Sequence, residues 1–247
     1  MRVRRALLAA VGLVLAVVVY DLAAVLRLRS RAPDPPAPLD HDGRIGTGPG
    51  EEAIRLVILG DSAAAGYGLD DPDEAYPREL AQRLHEQRGV PVDLVSFAED
   101  GARIADLIAT QVPRIPADAD VVVLAAGVND ALGRRPPEAV EADTVALIEA
   151  VADRVPDADV LVVGCPDLHT APGFPWPLDR LVGWSCRRTC GAQRRAAQGR
   201  PVRFVSYPTP PTVEMYGADG FHPGALGQAA AAEAAVAALD LGAGDHG

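Results

Sequence analysis

The sequence predicts an α/β domain built on a five-stranded parallel sheet with helices on both faces. Short apolar runs of strand length recur along the chain, and between them the apolar spacing changes to the period of amphipathic helices. The runs are continuous rather than alternating, which is typical of strands covered on both faces. Strands that alternate with helices form βαβ units, whose strands lie parallel.

The elements follow one another in a regular order from Ile54 onward. Strands are predicted at residues 54–59, 92–97, 121–126, 160–163 and 202–205. Helices are predicted at residues 76–89, 104–112, 137–155, 178–198 and 224–241. Pro137 opens the third helix and Gly89 ends the first, as helix start and stop signals do. In such a sheet the functional site lies outside the carboxyl ends of the strands.

The first 31 residues stand outside this pattern and predict an N-terminal hydrophobic helix that acts as a membrane anchor or a signal peptide. A basic start is followed by residues 6–20, which are all apolar, and after Asp21 the apolar run continues to residue 26. A signal peptide has such a start and core, but we find no clear small-x-small cleavage site. An anchor of residues 6–26 would be roughly 30 Å long, which is enough to cross a bilayer. We therefore favour an uncleaved anchor with the folded domain outside the cytoplasm; cleavage would make the protein secreted.

Residues 32–52 are predicted to be a linker, and residues 53–247 the folded domain. The linker is rich in proline at first and in glycine afterwards, and it includes His41. Proline-rich chain is extended and glycine-rich chain is flexible. This composition predicts a spacer between the N-terminal segment and the domain.

The charge of the chain argues against nucleic acid as a partner. All 23 basic residues are arginine, against 34 acidic residues, and six of the arginines lie within residues 1–31. The rest of the chain holds 17 arginines and 33 acidic residues, a net charge of −16. A surface this acidic repels phosphate backbones.

Four groups of polar residues follow strands or stand near the end of the chain. They are Gly60-Asp61-Ser62, Asp100-Gly101, Gly127-Val128-Asn129-Asp130 and Asp219-Gly220-Phe221-His222-Pro223. Each group alone is more often turn chemistry than catalysis, because Gly, Asp and Asn are common turn formers. Together they fall where one edge of the sheet would bring them close to one another. Asn129 is also the only asparagine in the chain.

These groups, with Gly66-Tyr67-Gly68, resemble sequence blocks I, II, III and V of the SGNH (GDSL-type) hydrolases, in order over about 165 residues. The opening block is similar to that of small bacterial thioesterases and lysophospholipases. The resemblance implies a flavodoxin-like three-layer α/β/α sandwich and hydrolysis of esters through a serine. It also implies an oxyanion hole formed by the backbone N–H groups of Ser62 and Gly101 and the side-chain amide of Asn129. Ala63 and the absence of an asparagine before Gly101 depart from the family pattern, which leaves the substrate open.

The chemistry of the residues agrees with a catalytic triad. A serine hydroxyl is a weak nucleophile unless a base removes its proton, and His222 is the candidate base for Ser62. Asp219 precedes His222 by three residues, a spacing at which its carboxylate can bind one ring nitrogen while the other faces the serine. Asp61 and Asp130 are more easily explained as turn residues.

The stretch from Cys165 to Cys190 has more than one interpretation. Its three cysteines and His169 have spacings unusual for structural zinc, and a disulfide is favoured over a metal if the domain is exported. This stretch, which also contains Phe174, Trp176 and Trp184, would either line an acyl or leaving-group pocket or pack as a small separate core. The sequence predicts neither a cofactor nor a metal ion.

Two functions remain open. The first is a serine esterase acting on acyl esters of lipids, on thioesters or on acetylated glycans, with a small-molecule ester as its ligand and the membrane as its attachment. The second is a catalytically silent domain of the same fold that binds lipid or glycan in the cell envelope, since fold alone does not decide function. A nucleotide-binding protein is disfavoured because no glycine-rich loop ending in a basic residue is present.

Overall fold

The sheet has six strands rather than five. The computed structural model describes residues 39–47, 52–207 and 211–240, together with residues 4, 12, 16, 19 and 20. The strands are β1 (Gly43–Ile45), β2 (Ile54–Gly60), β3 (Val92–Ser96), β4 (Val121–Ala125), β5 (Asp159–Val163) and β6 (Arg203–Val205), in the spatial order β1-β3-β2-β4-β5-β6. The five predicted parallel strands are confirmed, and β1 pairs with β3 in the antiparallel direction.

Helices cover both faces of the sheet. They are α1 (Tyr76–Arg88), α2 (Ile104–Thr110), α3 (Val128–Leu132), α4 (Pro137–Arg154), α5 (Leu178–Ala197) and α6 (Ala225–Asp240). Every strand and helix predicted from Ile54 onward is present, and each boundary lies within two residues of its predicted position. The five-residue helix α3 was not predicted, because it is too short to show a periodic pattern.

Alternate residues of the central strands enter two apolar cores. Val57 and Leu59 of β2 pack in the core beneath α2 and α4, whereas Leu56 and Ile58 pack in the core beneath α1 and α6. All four side chains are fully buried. Successive side chains of a strand point to opposite faces, so a strand buried on both faces is apolar throughout. The result is the predicted three-layer sandwich.

The strand order creates one crevice at the carboxyl edge of the sheet. The chain moves from β2 outward to β3, and then crosses back to place β4 on the other side of β2. Loops that leave β2 and β4 therefore turn away from each other, and ligands bind at such a switch point in open α/β sheets. The polar groups after residues 60, 96 and 125 all start from this edge.

The predicted linker at residues 32–52 is wrong in its second half. Ile45 of β1 is buried against the sheet, and the backbone N–H of Ser96 donates to Asp42 Oδ1 at 2.8 Å. His41, predicted to be a linker residue, is also buried, and its Nε2 lies 2.9 Å from the carbonyl oxygen of Ala65. The folded domain thus begins before residue 53. A three-residue strand among glycines has too few residues to show alternation.

The predicted anchor or signal peptide at residues 1–31 lies almost entirely outside the described residues. In the parts of the chain that are described, no helix is both long enough and apolar enough to cross a bilayer. The N-terminal assignment therefore stays a prediction.

Candidate active site

Ser62 lies on the turn that follows β2. The β2 strand ends at Gly60, and a Cβ at that position would lie 2.5 Å from the carbonyl oxygen of Ala125. A glycine is therefore needed where β2 and β4 approach at their carboxyl ends. Beyond it, Asp61 Oδ1 accepts a hydrogen bond from the N–H of Ala63 at 3.1 Å, which closes the turn around Ser62. The serine is largely buried.

His222 is held by a turn immediately before α6. The backbone N–H groups of Phe221 and His222 both donate to Asp219 Oδ1 at 2.9 Å, and His222 Nδ1 lies 2.6 Å from Asp219 Oδ2. Gly220 has a φ of 67°, and a Cβ there would lie 2.9 Å from the backbone nitrogen of Gly173. The turn Asp-Gly-Phe-His therefore depends on glycine at its second position.

The structure brings Ser62 and His222 together across 160 residues of sequence. Ser62 Oγ lies 3.0 Å from His222 Nε2, the distance expected between a nucleophile and its base. The imidazole is enclosed by the rings of Tyr67 and Phe221, each with its centroid 4.5 Å from the imidazole centroid. These contacts and the bond to Asp219 fix the orientation of the ring.

The carboxylate of Asp219 is suited to remain ionised beside His222. Burial alone would raise its pKa, but the hydrogen bonds from His222 and Phe221 and the proximity of the imidazole hold the pKa below its ordinary value. A carboxylate that stays ionised fixes the imidazole tautomer and stabilises an imidazolium without taking the proton itself.

Asn129 is hydrogen-bonded to the residue that follows Gly101. Asn129 lies in α3, and its Nδ2 donates to the carbonyl oxygen of Ala102 at 3.1 Å, which ties α3 to the segment that contains Gly101. Gly101 adopts a φ of 74°. An amide nitrogen carries two hydrogens, so this bond uses one of them. The oxyanion hole of Ser62, Gly101 and Asn129 stays a prediction.

Asp61 and Asp130 are buried next to the site and accept hydrogen bonds from backbone N–H groups. Asp61 is fully buried, and burial raises its pKa to about 6 despite the opposing effects of the Ala63 N–H and His222. Asp130 is also fully buried, its Oδ2 accepts from the N–H of Ile104 at 3.0 Å, and burial raises its pKa. The bond from Ile104 links α3 to the start of α2, rather than closing a local turn as the sequence suggested.

Three buried glutamines that the sequence analysis missed hold the strand ends in place. Gln111 bonds both backbone groups of Gly60, accepting from its N–H at 2.8 Å and donating to its carbonyl at 2.9 Å. Gln193 donates to the carbonyl of Ala126 and accepts from the N–H of Cys165, each at 2.7 Å. Gln228 donates to the carbonyl of Ala63 at 3.0 Å. An amide on the apolar face of a predicted helix was the available signal, most clearly for Gln228 in its alanine-rich helix.

An apolar pocket opens beside Ser62 and His222 toward β5 and α6. Its volume is about 60 Å³. It is lined by Ala64, Val128, Leu168, Met215, Tyr216 and other mostly apolar residues. The stretch from Cys165 to Cys190 divides between the two predicted roles: Leu168 lines the pocket, Phe174 packs in a small separate core, and Trp176 is exposed.

The three cysteines are free thiols. Cys165 and Cys186 are hydrogen-bonded to each other, and this bond together with burial raises the pKa of Cys165 well above its ordinary value. Among the described residues, no three His, Cys, Asp or Glu side chains are grouped so that they could hold a metal ion.

The fold and the geometry of the site together define a class of protein. In this class a Ser-His-Asp arrangement lies at the carboxyl edge of a parallel sheet in an α/β fold, and this is the arrangement of side chains found in serine hydrolases. Comparison with known proteins narrows the class. The chain belongs to the GDSL-like lipase/acylhydrolase family, whose model matches residues 58–230. A GDSL-like esterase of Mycobacterium tuberculosis is 33% identical over 199 residues, which are 75% of this chain and 62% of that protein. The chain thus spans less than two thirds of this relative's length.

Solved structures show the same fold at low identity. An extracellular lipase from Streptomyces rimosus superposes with a TM-score of 0.61 at 19% identity, over 75% of this chain and all of that one. A family 3 carbohydrate esterase from Clostridium thermocellum superposes with a TM-score of 0.60 at 22% identity, over 77% of this chain and 97% of that one. At these identities the likeness concerns the fold alone.

Proposed function

We propose that the protein is a serine esterase that hydrolyses carboxylic esters through an acyl-enzyme intermediate. The observation that carries this proposal is the chain of contacts from Ser62 Oγ to His222 Nε2 at 3.0 Å and from His222 Nδ1 to Asp219 Oδ2 at 2.6 Å. Membership of an acylhydrolase family supports the same chemistry.

The first half of the reaction forms the acyl-enzyme. Ser62 Oγ forms a bond to the ester carbonyl carbon while His222 Nε2 takes the hydroxyl proton. The resulting oxyanion accepts hydrogen bonds from the proposed donors, which are the N–H groups of Ser62 and Gly101 and the amide of Asn129. When the bond to the leaving oxygen breaks, His222 returns the proton to it and the alcohol departs.

The second half releases the acid. Water attacks the acyl carbon as His222 Nε2 removes one of its protons, and a second oxyanion forms on the same donors. The bond to Ser62 Oγ then breaks and the serine recovers its proton from His222. Asp219 stays ionised throughout and holds the imidazole in position.

The size of the pocket favours a short acyl group. A volume of about 60 Å³ has room for roughly four to six water-sized groups. Lipid esters, thioesters and acetylated glycans all remain candidate substrates, and among them the pocket favours acetyl and other short acyl groups. We expect kcat/KM on p-nitrophenyl esters to fall steadily from butyrate to laurate; a maximum at laurate would contradict this assignment.

Turnover of p-nitrophenyl acetate tests the proposed function. Wild-type protein should hydrolyse it, and Ser62→Ala should abolish turnover while an unchanged circular dichroism spectrum shows that the fold persists. If the folded wild-type protein hydrolyses none of the esters or thioesters offered, the alternative of a silent lipid- or glycan-binding domain replaces the esterase.

We also propose that residues 1–31 attach the domain to a membrane or export it. The uninterrupted apolar composition of residues 6–20 and the basic start support this proposal. The full-length chain should remain in the membrane fraction after carbonate washing, or appear in the medium as a shortened chain. Recovery of the full-length chain as a soluble cytoplasmic protein would refute it.

A further inference from the structure

Both tryptophans of the chain are exposed, one just before α5 and one in its first half. Trp176 precedes α5 and is 71% exposed, and Trp184 within α5 is 48% exposed. Leu181 is exposed beside Trp184, since residues three apart share a side of a helix. Leu132 of α3 is exposed as well, and α3 is joined to α5 by a bond from Ser185 Oγ to the carbonyl of Ala131 at 2.6 Å. Clustered exposed apolar side chains mark interaction surfaces.

Two arginines flank Trp184 on α5, although the domain as a whole is acidic. Helix α5 contains five arginines and one acidic residue. Arg180 lies one turn before Trp184 and is 71% exposed, with an ion pair to Asp179 at 3.6 Å. Arg188 lies one turn after Trp184, and its guanidinium is 4.4 Å from the centre of the indole ring. We call Leu132, Trp176, Arg180, Leu181, Trp184 and Arg188 the α5 face. Arg187 and Arg195 of the same helix are paired with Asp167 and Glu141 and do not belong to this face, so its positive charge comes from Arg180 and Arg188.

Trp176 of the α5 face adjoins two of the described residues of the N-terminal apolar segment. Ala16 and Tyr20 of that segment line the same cavity as Trp176 and Pro177. Residues 6–26 are the part of the sequence that predicts a membrane anchor. The anchor and the α5 face would therefore approach the bilayer from the same side of the domain.

We propose that the α5 face docks on the surface of an anionic lipid bilayer. Tryptophan rings favour the headgroup region because one end of the ring is apolar and the other is polar. Arginines near an anionic surface are attracted to lipid phosphates. Phe174 lies two residues before Trp176, and it contacts Phe221, which contacts His222. Docking would thus hold the proposed active site close to esters carried at the membrane surface.

Intrinsic fluorescence tests this docking, because the only two tryptophans of the chain lie on the α5 face. The full-length protein is reconstituted into vesicles of phosphatidylglycerol or of phosphatidylcholine, each with and without brominated acyl chains. We expect bromine to quench the emission strongly in phosphatidylglycerol and weakly in phosphatidylcholine, with added salt reducing the difference. Emission that bromine quenches in neither lipid overturns the proposal. The same result is expected if the face binds a protein rather than a membrane.

Two arginine variants distinguish the effect of a charge on the α5 face from the effect of a charge elsewhere on helix α5. Arg188→Gln removes a charge from the α5 face. We expect it to lower the affinity of the face for phosphatidylglycerol, as read from the quenching, about fivefold. Arg195→Gln removes the same charge from the same helix, but Arg195 is paired with Glu141 at 2.7 Å, away from the face, and should leave quenching unchanged. Equal effects of the two variants, or none from either, contradict the proposal.

The docking and the esterase proposals fail separately. Ser62→Ala should keep the full quenching, since the serine lies outside the α5 face. Arg188→Gln should keep the turnover of soluble p-nitrophenyl acetate while losing activity toward an ester held in anionic vesicles. Turnover of the soluble ester without quenching removes the docking proposal alone; quenching without turnover removes the esterase alone.

Discussion

Three buried or half-buried carboxyl groups of the site differ in pKa because their surroundings differ. Asp219 accepts three hydrogen bonds, two from backbone N–H groups and one from His222, so its pKa is low. Asp61 and Asp130 are fully buried, and the loss of water raises their pKa values. One of the three is thus suited to an ionised role beside the imidazole, and the other two to structural roles.

Replacement of Asn129 tests the proposed oxyanion hole. Loss of one preorganised donor typically lowers kcat by about 10²–10³-fold, and we expect this for Asn129→Ala with KM little changed. Ser185→Ala is the matched control, because it removes a different bond to α3, from Ser185 Oγ to Ala131. If both variants lose activity equally, loosening of α3 explains the loss and the donor role of Asn129 is wrong.

The raised pKa of Asp61 predicts that the stability of the fold depends on pH. Its pKa is about 6 in the folded state, above the ordinary value of 3.8. The folded state therefore holds the proton more tightly, and this contribution to stability is present below about pH 4 and is lost as the pH rises to about 6. Asp61→Asn cannot ionise, so between pH 4 and 7 its unfolding free energy should rise relative to wild type by roughly 2–4 kcal/mol.

Denaturant unfolding of wild type and Asp61→Asn at several pH values measures this change. Any constant difference caused by the amide itself cancels from the slope. A difference between the two proteins that does not vary with pH would show that Asp61 has no raised pKa.

A side-chain amide takes the place of backbone pairing beyond the ends of β4 and β5. The last paired residues of β4 and β5 are Ala125 and Val163. Beyond them, Gln193 of α5 spans the gap, with one bond to Ala126 and one to Cys165. The strand ends can then diverge and line the pocket without leaving backbone groups unpaired.

Gln193→Leu should destabilise the protein and loosen the site. Two buried backbone groups would lose their partners, at a cost of about 2–4 kcal/mol. We expect a lower kcat as well, because Ala126 leads directly into α3. Gln198→Leu is the control, since Gln198 is exposed at the end of the same helix and should change stability by less than about 0.5 kcal/mol. Similar unfolding midpoints for the two variants would contradict the bridging role.

The strands and helices could be predicted because each is long enough to show its period. The contact between Ser62 and His222 could be predicted because one residue follows a strand and the other precedes a helix, where turn glycines mark them. Strand β1 and helix α3 could not, because three and five residues carry no periodic signal. The glutamine bridges could not either, since a partner such as Gly60 lies 51 residues from Gln111 and is brought near only by the fold.

At the scale of the whole molecule, β1 closes one edge of the sheet and supports the nucleophile loop. It covers the edge of β3 with an antiparallel strand, which protects backbone groups that would otherwise be open to pairing with other chains. The segment before it reaches the loop after Ser62, because His41 contacts Ala65. Residues 39–47 therefore belong to the folded domain rather than to a spacer.

Shortened chains test the role of this segment. A chain that begins at residue 53 loses the burial of Ile45, and we expect it to be less stable than one that begins at residue 39 by about 2 kcal/mol, or roughly 4–8 °C in Tm. Thermal unfolding followed by circular dichroism measures the difference. Identical Tm values would show that β1 adds nothing to the fold.

Covalent trapping tests directly whether His222 activates Ser62 as a nucleophile. A fluorophosphonate should form a bond from phosphorus to Ser62 Oγ with release of fluoride, and intact-mass measurement should find one adduct per chain. Peptide mapping should place that adduct on Ser62, it should be absent from Ser62→Ala, and it should form far more slowly on His222→Ala. An adduct on another residue, or equal labelling rates for wild type and His222→Ala, would contradict the account.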